Sequence, residues 1–156
     1  MKFFTANLIF LDILLFSVLP LTAQSIDTES EECKNAIAEV ENQLQSAGVT
    51  LEFSDFNDRN APGIPPEGRP NQYAFGMSGN GVMTVLGSPV LLDTHATQIV
   101  NNCSSVSSVS FGQWQSGLVG VFGLMPNGEV ELFKCPEDHF HGGGYRDLVW
   151  GEFCST

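Results

Sequence analysis

Apolar residues recur along the middle of the chain at two different periods. Tyr73, Phe75 and Met77 alternate with smaller residues, and this period of two predicts a strand with one buried face. Further along, Ser88-Pro89 is a helix-start signal, because a hydroxyl can cap free amides and proline suits the first helical position. The apolar positions that follow share one face of a helix: Leu92, Ala96, Ile99, Val100 and Cys103.

Two further strands and a turn complete this central block. Residues 109–111 return to a period of two, and residues 118–124 are more fully apolar. Residues 125–128 carry Pro and Gly where a type I turn favours them, and residues 129–132 alternate acidic and apolar side chains. The pattern therefore predicts a strand, a helix, a strand and a hairpin between residues 73 and 135.

The preceding block predicts a helix, a short strand and a loop. Acidic and hydroxyl-bearing residues at 27–32 suit a helix start, and Gly48 is a plausible stop. Between them, apolar positions repeat at helical spacing: Cys33, Ala36, Ile37, Val40 and Leu44. Residues 49–53 alternate as a short strand, whereas residues 54–71 hold four prolines and two glycines and are predicted to form a loop. Near the end of the chain, residues 148–154 are apolar enough to pack back as a last strand.

These elements predict an α+β fold. We expect two helices packed on one face of a four- to six-stranded sheet, mixed or mainly antiparallel. The strand at Tyr73, the central helix and the strand at Val109 suit a right-handed βαβ crossover.

The first residues read as a secretory signal. Lys2 precedes a mostly apolar run at residues 3–19, and residues 21–23 provide a cleavage context. A retained membrane anchor is the competing interpretation, but the run is short for a span. We therefore expect a signal peptide at residues 1–23 and one exported domain at residues 24–156, secreted or periplasmic, with no stable membrane span after cleavage.

Charge narrows the range of partners. The chain has 18 acidic and 6 basic residues, a formal net charge of -12. Such a surface repels nucleic acid and anionic membranes, so we expect no nucleic-acid partner.

Four cysteines follow the predicted signal: Cys33, Cys103, Cys135 and Cys154. Export places them where disulfides persist, and the absence of a CxxC pair disfavours a zinc site. Four cysteines permit three pairings. We favour Cys33 with Cys103, which would join the two helices, and Cys135 with Cys154, which would fasten the tail to the hairpin.

His139 and His141 are the candidate metal ligands. Alternate residues of an extended segment project to one side, so two imidazoles could share an ion. Carboxylates stand nearby at residues 137, 138 and 147, and residues 142–144 are all glycine. The simpler interpretation is a solvated, glycine-rich loop.

A set of short motifs carries a resemblance to known proteins. They are Ala74-Phe75-Gly76-Met77-Ser78-Gly79, Ser88-Pro89-Val90-Leu91-Leu92, Asn102-Cys103, Val109-Ser110-Phe111-Gly112, Phe122-Gly123-Leu124, Phe133-Lys134-Cys135, and Trp150-Gly151 with Cys154. Over residues 73–154 the chain resembles a group of small exported proteins of cyanobacteria. The resemblance implies export and brings no catalytic residue with it.

The pattern as a whole favours a non-catalytic module. We expect an acidic, exported domain that acts by binding or by a structural role at the cell envelope or outside the cell. Its partner would be a protein or an envelope component, and no cofactor is implied. The alternative is a metal-dependent or hydrolytic enzyme centred on His139 and His141.

Overall fold

The computed structural model describes residues 30–57, 62–137 and 147–155. The elements of this part of the chain are α1 (Glu31–Ser46), β1 (Thr50–Asn57), β2 (Asn71–Ser78), α2 (Val82–Leu86), α3 (Pro89–Asn102), β3 (Val106–Gln113), β4 (Val119–Leu124) and β5 (Val130–Leu132). The strands form one mixed sheet in the order β1-β2-β3-β4-β5. The predicted α+β class is confirmed.

The parallel pair β2 and β3 forms the centre of this sheet. All the other neighbouring strands are antiparallel. Parallel neighbours require a crossover connection, and here the chain passes through α2 and α3 between the two strands. The predicted strand, helix, strand unit is therefore present.

The helices cover one face of the sheet. Phe75 of β2 and Phe111 of β3 stack with ring centroids 5.2 Å apart, and Phe122 of β4 meets Phe111 edge-on at 6.0 Å. These rings share one buried cluster with the apolar faces of α1 and α3. The buried residues of α1 are the five predicted from helical spacing: Cys33, Ala36, Ile37, Val40 and Leu44.

The start of α1 differs in detail from the expectation. Ser30 is the N-cap, and its hydroxyl oxygen accepts a hydrogen bond from the Cys33 amide at 3.2 Å. Glu31 and Glu32 lie in the first turn, where the helix dipole favours negative charge. Residues 27–29, also considered for the cap, lie outside the described residues, as does the predicted signal at residues 1–23.

The structure differs from the sequence prediction at three places. The loop predicted at residues 54–71 begins later, because Ser54, Asp55 and Phe56 continue β1 and pair with β2, and Asn71 already belongs to β2. Short helix α2 had no sequence prediction. The strand predicted at residues 148–154 is reduced to one isolated bridge, Lys134 with Glu152.

The described structure contains two disulfides, in the pairing that the sequence favoured. Cys33 in the first turn of α1 bonds to Cys103, the C-cap of α3, and both residues are buried. Cys135, just after β5, bonds to Cys154 in the C-terminal segment. One bridge thus lies in the core between the helices, and the other fastens the tail at the surface.

Arg69 holds the end of α3 against the sheet. Its Nη1 donates hydrogen bonds to the carbonyl oxygens of Val100 at 2.7 Å, Val106 at 2.8 Å and Cys103 at 3.3 Å. The last carbonyls of a helix have no partner within the helix, and a cation there is favoured by the helix dipole. Arg69 therefore fastens the segment before β2 to both the end of α3 and the start of β3.

His95 is the one histidine in the described residues, and it lies in α3 with 2% of its surface exposed. Its Nδ1 has no hydrogen-bond partner among them. Burial lowers the pKa of the imidazole from its usual value of 6.5, because desolvation disfavours the charged form. The buried imidazole of His95 therefore favours its neutral form.

Replacement of Arg69 by Met should lower the free energy of unfolding by about 2 kcal/mol, since hydrogen bonds from a charged group to buried carbonyls are lost. Arg69→Lys should recover only part of this, because the lysine side chain is one bond shorter and its ammonium does not reach the position of Nη1. Urea unfolding measures both. Lys34→Met is the control, because its exposed contact with Glu31 should matter little. Equal effects of Arg69→Met and Lys34→Met would contradict the role of Arg69.

Burial of His95 predicts a pH dependence of stability. The folded pKa lies below the unfolded value, so the unfolded chain binds the extra proton as the pH falls. The contribution of His95 to the free energy of unfolding should be fully present above about pH 6.5 and should decline as the pH falls toward the folded pKa. The measurement is urea unfolding of the wild type and His95→Asn between about pH 7.5 and 5.5, where the wild type should show the steeper decline. Parallel pH profiles would show that His95 does not titrate on unfolding.

Candidate functional site

The sheet face opposite the helices is lined by small residues at its centre. Side chains alternate along a strand, so the residues between the core positions of β2 and β3 point to this second face. Ala74 pairs with Ser110, and Gly76 pairs with Gly112. The centre of this face is consequently recessed between larger neighbours. We call it the open-face groove.

Two aromatic side chains form one wall of the open-face groove. Phe53 of β1 pairs with Gly76, and its ring lies so close to that glycine that an added Cβ would overlap it. Trp114, directly after β3, meets Phe53 edge-on with ring centroids 5.5 Å apart. The Trp114 amide donates to the Met77 carbonyl at 2.7 Å. Phe53 is 37% exposed and Trp114 is 45% exposed, so both present apolar surface outward.

The C-terminal segment forms the facing wall and limits the groove at one end. Phe153 lines the groove, and its amide donates to the Lys134 carbonyl at 3.2 Å. The neighbouring disulfide, Cys135–Cys154, fastens the same segment. Beside it, Trp150 packs edge-on against Phe133 at 5.0 Å, and both lie over Gly123 of β4. The covered part of this face thus lies at β4, and the cavity opens over β2 and β3.

The resulting cavity has a volume of about 350 Å³. Its walls are formed mainly by Phe53, Trp114, Phe153, Val119 and Val121. The polar side chains that line it are uncharged: Gln72, Ser110, Gln113, Gln115 and Ser116. An apolar enclosure of this size with a few polar groups is typical of small-ligand sites.

Gln72 and Ser108 are buried polar residues of this same face. They are neighbours in the register of β2 and β3, and Gln72 also lines the cavity. Gln72 is 1% exposed and Ser108 is fully buried. Neither the two amide atoms of Gln72 nor the hydroxyl of Ser108 has a hydrogen-bond partner in the described structure. Each unpaired buried polar group lowers the stability of the folded state by about 1 to 3 kcal/mol, so Gln72 and Ser108 call for an explanation.

A second cavity, of about 430 Å³, lies beside β4 beyond the end of β5. Its lining joins Leu86 and Leu92 of the helical layer to Phe122 and Leu132 of the sheet, and Phe153 separates it from the open-face groove. It is the larger of the two, but Gln72 does not line it. The open-face groove is the better candidate, because its lining combines exposed aromatic rings with the buried, unpaired Gln72.

The predicted metal ligands, His139 and His141, lie outside the described residues, so the metal hypothesis stays a prediction. Within the described ranges, no three His, Cys, Asp or Glu side chains are grouped to hold a metal ion. The four predicted cysteines contribute indirectly, since one of their bridges fastens the wall that carries Phe153.

Sequence reasoning did not find the open-face groove. Its floor residues appear in the sequence only as the small positions between large ones, and its walls come from three separate segments around Phe53, Trp114 and Phe153. The alternation of large and small residues in β2 and β3 was the sequence feature that could have indicated the floor of the groove. Gln72 carried no such signal, since it follows the proline-rich loop as one polar residue among several.

None of the described helices has the length and apolar character that crossing a membrane requires. Comparisons with family models, with characterised proteins and with solved structures found no match to this chain. The resemblance to small exported cyanobacterial proteins therefore stays a prediction.

Proposed function

We propose that this protein is an exported, non-catalytic binding module that takes a small, largely apolar ligand in the open-face groove. The observation that carries the proposal is the exposure of Phe53 and Trp114 above a recessed floor of glycine, alanine and serine. Aromatic side chains usually bury their rings, since each contributes strongly to core stability. Two rings held half exposed around a cavity of about 350 Å³ present a surface suited to a ligand.

The lining of the groove favours binding over catalysis. Among the described residues that line it there is no Asp, Glu, His, Lys, Arg, Cys or Tyr, so none of them can act as a general acid or base. Its serines, Ser110 and Ser116, have no base among these lining residues to activate them. The side chains can enclose, orient and hydrogen-bond a ligand, which is the chemistry of recognition.

Charge and compartment define the ligand further. The net charge of -12 repels anions, and the lining itself is neutral, so we expect an uncharged or cationic ligand. The two disulfides suit an oxidising compartment outside the cytoplasm. Cleavage of residues 1–23 and release into the periplasm or the medium are part of the proposal. Action at the cell envelope or beyond it follows from that location.

Binding of the neutral dye Nile red tests the proposal, because its emission rises when the dye enters apolar surroundings. The wild type should bind it saturably. Phe53→Ala and Trp114→Ala should each weaken binding by about ten-fold, since each removes one aromatic contact from the wall. The measurement is a fluorescence titration at fixed dye concentration.

Two control variants accompany this titration. Met83→Ala removes an exposed apolar side chain of α2 that does not line the groove, and Leu132→Ala alters the second cavity. Both should bind Nile red as the wild type does. The proposal fails if Phe53→Ala and Trp114→Ala leave the titration unchanged, or if Leu132→Ala alone weakens binding.

Removal of the surface disulfide should loosen the wall that carries Phe153. The double variant Cys135→Ala with Cys154→Ala should lose roughly 2 to 4 kcal/mol of stability and should bind Nile red several-fold more weakly. The double variant Cys33→Ala with Cys103→Ala is the matched control. It should lose at least as much stability, since its bridge closes a longer loop and is buried, yet it should retain dye affinity where it is folded. Equal dye affinity in the two variants would contradict a role of the tail in the groove.

A further inference from the structure

Gln72 presents a hydrogen-bonding edge that the protein itself leaves unused. Its Oε1 accepts from no described residue and its Nε2 donates to none, although the side chain is 1% exposed. Buried polar groups in folded proteins are nearly always paired, and exceptions call for an explanation.

Ser108 extends this edge. It is the register partner of Gln72 on the parallel neighbouring strand, and its hydroxyl is likewise buried without a hydrogen-bond partner in the described chain. The two residues therefore place one acceptor, one amide donor and one hydroxyl side by side on the face that forms the groove. The nearest floor residues, Ala74 and Ser110, are small.

We propose that the open-face groove recognises a flat, uncharged ring that carries a cyclic cis-amide, such as a lactam, an imide or a pyrimidine-dione. A primary carboxamide holds its donor and acceptor in one plane, and a cyclic cis-amide presents the complementary pair in one plane. Two parallel hydrogen bonds would then join the ligand to Gln72. This inference rests on the proposed binding function and adds the chemical class of the ligand.

The remaining groove suits the rest of such a ring. Phe53 and Trp114 offer flat apolar surface above the floor, and aromatic rings pack well in edge-on or offset arrangements. The lining residues that the structure describes are all uncharged, which favours an uncharged ring over an ionised ligand. The Gln72 amide is covered in the structure, so binding requires the side chains over it to move apart.

The test compares three probes of nearly equal size by displacement of Nile red. 2-Quinolinone carries the cyclic cis-amide, N-methyl-2-quinolinone lacks its N–H, and quinoline lacks both the carbonyl and the N–H. A site built to pair with an amide discriminates strongly against an analogue that leaves its buried groups unpaired. For the wild type, 2-quinolinone should displace the dye at a concentration at least about ten-fold below that of either analogue.

Gln72→Leu is the decisive variant, with Gln72→Asn as its polar counterpart. Leucine fills similar space without the amide, so the Gln72→Leu variant should fold, which urea unfolding checks. From this variant the three probes should displace Nile red at similar concentrations. Asparagine keeps the amide, but its side chain is one methylene shorter and holds the amide farther from the ligand. The preference for 2-quinolinone over the two analogues should therefore be smaller than in the wild type. Phe53→Ala should instead lower the affinity for all three probes by a similar factor.

The outcomes separate this inference from the binding function. If Nile red binds and the three probes displace it equally from the wild type, the cis-amide assignment is overturned and the binding function stands. If 2-quinolinone keeps its advantage in Gln72→Leu, recognition by Gln72 is overturned. If Nile red does not bind the groove at all, the binding function fails first.

Discussion

The stacked rings of Phe75 and Phe111, across the parallel pair β2 and β3, are the contact on which the rest of the structure depends. They hold the two central strands in register at the core and form the surface on which α1 and α3 pack. Because side chains alternate along each strand, large rings on one face require that the intervening residues point to the other. Those intervening residues are small here, and the recess of the open-face groove is the direct consequence.

Much of this arrangement could be predicted from the sequence, because periodicity reports which residues share a face. Local spacing predicts the buried apolar positions of α1 and α3, the strand at Tyr73 and the hairpin after Val119. It does not predict that His95 of α3 is buried as well. The preferred cysteine pairing also agrees with the structure, since the two predicted helices lie side by side. The end of β1 could not be predicted, because Ser54 and Asp55 look like loop residues until β2 pairs with them. The groove likewise required knowledge of which distant segments meet.

The same sheet restricts how a partner can approach. β1 is an edge strand, and unpaired edges invite strand addition by a second chain. Its register with β2 shifts between Leu51 and Phe53, and exposed acidic residues, Glu52 and Asp55, lie along it. Irregular register and charge are the features by which natural edge strands resist pairing. With a net charge of -12 repelling a second copy, the broad face of the sheet is the better surface for recognition.

The unpaired polar groups and the disulfides are connected through stability. A folded domain of this size has only about 5 to 15 kcal/mol of net stability, so two buried polar residues without partners lower it by a considerable fraction. The Cys33–Cys103 bridge and the hydrogen bonds of Arg69 act on the opposite side of the sheet and at its end, where they stabilise the helical layer. The helical face of the sheet therefore supplies stability, while Gln72 and Ser108 remain unpaired on the opposite face. A ligand that pairs with them would remove this loss of stability when it binds, so binding would stabilise the folded chain through the very groups that weaken it when the groove is empty.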